Sequence, residues 1–215
     1  MEDVNDQLRA AAENGDAAKL KMLLRDPKSD ALSQDWLKRT ALMLAACGGH
    51  LSCLELLLPV SDSLARDNNG WTALMYAAQG GHLSCVRLLL PVSDSLECDD
   101  FGMTPLIWAA YKGHDSCLKL LLEVGDPLRK SKTGLTALML AAYSGYVSCV
   151  ELLLPVSDIL AKDNDKKTAS QLARKRGHAI LSESINAYFL AQKERLMLNS
   201  IIAAVYPPRR SSPRV

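Results

Sequence analysis

Thr40-Ala-Leu-Met returns as Thr72-Ala-Leu-Met, Thr104-Pro-Leu-Ile and Thr136-Ala-Leu-Met, 32 residues apart each time. Every copy runs on into Ala-Ala, a Gly-His or Gly-Tyr pair, Ser-Cys and three leucines. A period of that length specifies a stack of small units, because one unit cannot bury its apolar face alone and must lean on its neighbours. Length therefore stops being a guide to domain number, and the 215 residues read as one elongated array.

Residues 67–98 show the unit. Asp67-Asn-Asn-Gly70 is a turn signal. Thr72 is placed to cap a first helix by accepting from an early backbone N–H. Ala77-Ala78 keeps that helix thin, so that an adjacent unit packs close, and Gly80-Gly81 breaks it. Leu83 to Leu90 carries apolar residues at helical spacing, which predicts a second helix, and Pro91 stops it.

This glycine turn, Thr-Ala-Leu-Met, Ala-Ala, Gly-His and leucine triplet resemble the ankyrin repeat family over residues from about 7 to 190. The resemblance implies an all-α solenoid of about six helix-turn-helix units with terminal caps. Residues 1–34 form an N-terminal capping unit, 35–162 four regular units, 163–194 a C-terminal cap, and 195–215 a helical extension with a basic disordered tail. The chain departs from the family in three ways. Its period is 32 instead of 33. Met43, Met75, Ile107 and Met139 stand where the family has histidine, and Ser61, Ser93 and Ser157 replace the glycine kept as Gly125. The ends differ as caps should: Leu8-Arg-Ala-Ala-Ala-Glu-Asn-Gly opens the array, and Thr168-Ala-Ser-Gln closes it. A two-residue insertion near Pro27 sets the first cap apart.

Catalysis finds no support. His50, His82, His114 and His178 each follow a turn glycine at the start of a second helix, where an imidazole braces the turn; a catalytic histidine is not copied once per repeat. No nucleophile elbow, phosphate loop or zinc-protease motif occurs, and the glycine pairs lie between helices, not between a strand and a helix. Asp99 and Asp100 sit in a turn, where backbone capping explains them. The chain is read as a non-enzyme with no catalytic, cofactor-binding or metal site. The 25 basic and 24 acidic residues leave a net charge of +1, so bulk electrostatics favour neither nucleic acid nor an anionic membrane as partner. The acidic start argues against a signal peptide, and no apolar run is long enough to span a bilayer. Cys53, Cys85, Cys117 and Cys149 share one repeat position inside an apolar stripe and read as buried small hydrophobes of a reducing compartment. A cytoplasmic monomer is expected, with a nuclear location or delivery into a host cell as alternatives.

The resemblance implies binding through the turn tips and the outer end of the first helix, which line a concave side. The chain is therefore expected to be a protein-interaction module or adaptor, or alternatively a regulatory inhibitor of an enzyme or transcription factor. Positions that vary between units are free for a partner of unknown identity. Carried onto this sequence they include Trp36, Arg39, Asn69, Trp71, Asp100, Phe101, Met103 and Leu135 at the tips, and Gln79, Tyr111, Lys112 and Tyr143 on the first helices. Trp71, Phe101, Tyr111 and Tyr143 are the natural anchors, since large aromatic residues carry much of the energy at interfaces. Trp108 and Tyr76, beside the Ala-Ala pairs, read as packing.

Past residue 190 the repeat is gone. Ile185, Tyr188, Phe189, Leu196, Leu198, Ile201, Ile202 and Val205 recur at roughly helical spacing, which predicts a long amphipathic helix folded onto the last unit. Pro207-Pro208 is expected to end it. Arg209, Arg210 and Arg214 make a basic tail, solvated, docking or phosphorylated at Ser211-Ser212-Pro213.

Overall fold

The computed structural model describes residues 3–205, with side chains as far as Ser200. Helices come in pairs: α1 (Val4–Glu13) with α2 (Ala17–Leu23), α3 (Ala41–Gly48) with α4 (Leu51–Leu57), and α5 (Ala73–Gly80) with α6 (Leu83–Leu89). They continue as α7 (Pro105–Lys112) with α8 (Asp115–Leu121), α9 (Ala137–Ser144) with α10 (Val147–Leu153), and α11 (Ala169–Lys175) with α12 (Ala179–Val205). No strand occurs among the described residues. The first helices pack on one another in order from α1 to α11 and the second helices from α2 to α10, which makes two layers of a solenoid.

Local chemistry cuts each helix where the sequence marks it. The hydroxyls of Thr40, Thr72, Thr104 and Thr136 accept from the N–H groups of Met43, Met75, Ile107 and Met139 at 3.3–3.4 Å. Each takes up one of the donors a helix start leaves unpaired. At the other end Gly49, Gly81, Gly113 and Gly145 take φ between 72° and 81°, the left-handed cap open to a residue without Cβ. Between the layers, Leu42, Leu74, Leu106 and Leu138 are fully buried, as are the four laddered cysteines. Burial pushes the Cys117 and Cys149 thiols up to about 11.

The serine-for-glycine departure has a local cause. Leu58–Val60, Leu90–Val92 and Leu154–Val156 are single 3₁₀ turns built on Pro59, Pro91 and Pro155, so proline redirects the chain one turn after the α-helix ends. The serine that follows is extended, with φ from −113° to −122°, a conformation that needs no glycine. After α8 Glu123 stands where those prolines do, and there Gly125 N–H bonds directly to the Leu121 carbonyl at 2.8 Å. A Cβ on Gly125 would lie 2.8 Å from that same carbonyl oxygen.

Successive units are tied by two sets of bonds. The histidine rings reach back one unit: Nε2 of His50, His82 and His114 lies 2.9–3.0 Å from the carbonyls of Glu13, Cys47 and Gln79, so Nε2 carries the donated proton. The loops before the first helices form a row of fingers. Asn68, Asp100, Lys132 and Asn164 each donate a backbone N–H to the preceding finger, at Leu37, Asn69, Phe101 and Thr133. At the amino end, Asp30 N–H donates to Asn5 Oδ1 and Arg9 to Ser33 Oγ, both at 2.8 Å, which folds the inserted segment back onto α1.

The long C-terminal helix is present, but the expected burial of its stripe holds only over its first part, and the side chains of Ile201, Ile202 and Val205 lie outside the described residues. Leu181 and Ile185 pack against α11 and Tyr188 is half-buried, whereas Leu196 and Leu198 are 67% and 58% exposed. The helix outruns the single unit beneath it, and beyond Gln192 its described side chains are all exposed. The Pro-Pro stop, the basic tail and its serines lie outside the described residues.

Candidate binding surface

Finger tips and first helices share one face, and along it the same three positions of the four regular units come side by side. They are the residue before the capping threonine, the fourth residue after it and the seventh. In chain order these read Arg39, Leu44, Cys47; then Trp71, Tyr76, Gln79; then Met103, Trp108, Tyr111; then Leu135, Leu140, Tyr143. The aromatic residues therefore cluster in the middle of the face. Phe101, Met103, Trp108 and Tyr111 from one unit, with Leu135, Leu140 and Tyr143 from the next, enclose a solvent-open cavity of about 430 Å³.

The cavity wall is fastened from behind. Asp99, 2% exposed, accepts from the backbone N–H of Phe101 (2.9 Å) and Met103 (2.8 Å) with one oxygen and from Trp108 Nε1 (3.0 Å) with the other. Asp67 repeats this in the preceding unit, taking the N–H groups of Asn69 and Trp71 and the Tyr76 hydroxyl at 2.7 Å. Burial first, then the bond to Asp67 and its charge, raise the Tyr76 phenol pKa. In the flanking units the residue nine positions on is leucine and cannot donate. Asp35 instead takes Arg39 Nε at 2.8 Å, while Ser131 stands in place of aspartate. For Asp35, burial works to raise the carboxyl pKa, but the hydrogen bonds and charge of Arg39 outweigh it and hold it low. The rings of Trp71, Tyr76, Trp108 and Tyr111 lean on each other at centroid distances of 4.5–5.9 Å, a continuous aromatic wall.

Five of the twelve candidate residues meet at the cavity: Phe101, Met103, Tyr111, Leu135 and Tyr143. Met103 is only 8% exposed, so it belongs to the cavity floor, not to a projecting tip. Lys112 stands at the rim with its ammonium 5.2 Å from the Tyr111 ring centre. Trp71 is half-buried between Tyr76 and Trp108 and acts as wall. Asn69 and Gln79 lend their carbonyls to the next unit, and Asp100 faces Arg66 at 3.9 Å. Trp36, 82% exposed, and Arg39, tied to Asp35, lie on the first finger and do not line the cavity. Trp108 and Leu140, read as packing or not singled out, do line it. A signal for Trp108 is its spacing of nine from Asp99, which matches Tyr76 after Asp67.

Among the described residues no group of three or more histidine, cysteine, aspartate or glutamate side chains is placed to hold a metal, and no helix is long and apolar enough to cross a membrane. All six cysteines are free thiols.

No curated protein matches the chain. Among solved structures, an ankyrin repeat domain from Acinetobacter baumannii superimposes with a TM-score of 0.72 at 28% identity, covering 84% of this chain and 96% of that one. The family model for ankyrin repeats (3 copies) matches residues 8–96 and 92–163. With the threonine caps, the bracing histidines and the interlocked fingers, that match makes the chain a member of the ankyrin repeat family.

Proposed function

We propose that the protein is a non-catalytic adaptor that binds a partner protein through the concave face made by its fingers and first helices. Units spanning 35–162 form the array, with 1–34 and 163–194 as caps. The observation that carries this reading is the aromatic cavity between Phe101 and Tyr143, an apolar hollow held open by a buried hydrogen-bond network. Rigid aromatic residues at the centre of a face are what binding hot spots are made of. The free thiols suit a reducing compartment, and we place the protein in the cytoplasm as a monomer.

The test is capture of a partner from native lysate with wild-type protein beside Phe101→Ala/Tyr111→Ala/Tyr143→Ala. Trp71 is left intact because its ring supports the wall. Capture is expected to be lost with helicity unchanged; equal capture would move the site off this face.

A further inference from the structure

Resting on the concave-face reading, we propose that the cavity seats one apolar side chain, aromatic or leucine-sized, from a partner segment whose flanking residues are acidic. The lining supplies the apolar half of the argument: four aromatic rings and three aliphatic side chains, with no carboxylate among them. Such a hollow rewards an apolar guest with desolvated ring contacts.

Charge supplies the other half. Lys112 lies over the Tyr111 ring, and Arg176 lies over the Tyr143 ring at 4.5 Å from its centre, so both flanking cations rest on lining residues. Lys132, exposed on the next finger, is bonded through its backbone N–H to the Phe101 carbonyl. None of the three is in an ion pair among the described residues. Neither nearby acid of this finger lines the hollow. Asp99 is behind the wall with its three donors, and Asp100 faces Arg66. An apolar hollow flanked by the unpaired Lys112 and Arg176 complements an acidic segment and repels a basic one, the arrangement by which interfaces choose partners and speed encounter. A cationic guest is disfavoured on a second ground: the cations of this chain already sit against two of the four rings.

The experiment is selection of a phage-displayed library of random dodecapeptides on the immobilised full chain and on Lys112→Glu/Arg176→Glu, both exposed positions whose exchange leaves the core untouched. Wild type is expected to enrich peptides with one aromatic or leucine residue between acidic ones. Their affinity should fall about tenfold or more when that residue becomes alanine, and fall with added salt. The charge-reversed protein should enrich basic flanks instead. Basic or neutral flanks on wild type, no enrichment, or selection indifferent to charge reversal would overturn the proposal. A second arm separates the two readings. Charge-indifferent peptides that still lose binding to Tyr111→Ala defeat only the acidic chemistry, whereas peptides bound equally by Tyr111→Ala defeat recognition at this face as well.

Discussion

The cavity on the finger face and the outer half of α12 both leave apolar side chains in water, yet they are built differently. At the cavity three of the four rings are held by something else: Trp108 by Asp99 and Trp71, Tyr111 by Trp108, Tyr143 by Arg176. Along α12, Leu196, Met197 and Leu198 are each more than half exposed among the described residues. Exposure alone does not mark a recognition surface. A side chain already fixed in its bound orientation loses less entropy when a partner arrives, and the cavity has that property while the projecting helix does not.

If this contrast is sound, the largest effect comes from the core that backs the cavity. Leu118→Ala, at a fully buried position of α8, should cost about 2–5 kcal/mol in urea unfolding, and a loss under about half a kilocalorie would mean that the wall is not carried by this layer. Asp99→Ala comes next. It strands the Trp108 indole and two finger N–H groups, should cost about 1–3 kcal/mol, and should change Trp fluorescence as the ring loosens. Alkaline titration gives a smaller effect. The folded chain keeps the Cys117 and Cys149 protons up to about 11, whereas the unfolded chain releases them near the ordinary value of 9.0. That contribution is complete below about pH 9 and declines as the pH rises toward about 11, so Cys117→Ala/Cys149→Ala should show a shallower alkaline loss of thermal midpoint than wild type. Smallest of all, Leu196→Ala/Leu198→Ala should move the unfolding free energy by no more than about 0.5 kcal/mol, since both side chains are mostly exposed. A larger loss would show the outer helix docked, and would erase the contrast.

The array is legible in the sequence because its signals act locally. Thr72 caps whatever helix follows it, Gly81 permits the left-handed turn, and the spacing of Cys85, Val86 and Leu89 within α6 points one face inward whatever the neighbours are. The cavity is legible only in part. Periodicity puts Tyr111 and Tyr143 on the same face, and the spacing of nine from Asp99 marks Trp108, but nothing in it says that Met103 sinks to the floor or that the Trp108 ring lines a hollow. Those outcomes depend on what stands 32 residues away. The stripe on α12 fails for the same reason: helical spacing identifies an apolar side, while burial needs a second surface, and the last unit is too short to supply one beyond Tyr188.

The backbone bonds between fingers and the histidine braces run the same way, with the later unit donating and the earlier one accepting, while the side chains of Arg66, Ser95 and Lys130 donate forward to carbonyls of the next unit. A block of one period thus brings its own donors and offers its own acceptors. Such a block can be duplicated or lost within the array without stranding these polar groups at either new junction, so the number of units is free to drift while the joints remain correct. The joint also has a polarity in time. As the chain leaves the ribosome, the finger and histidine acceptors of each unit emerge before the donors that will claim them.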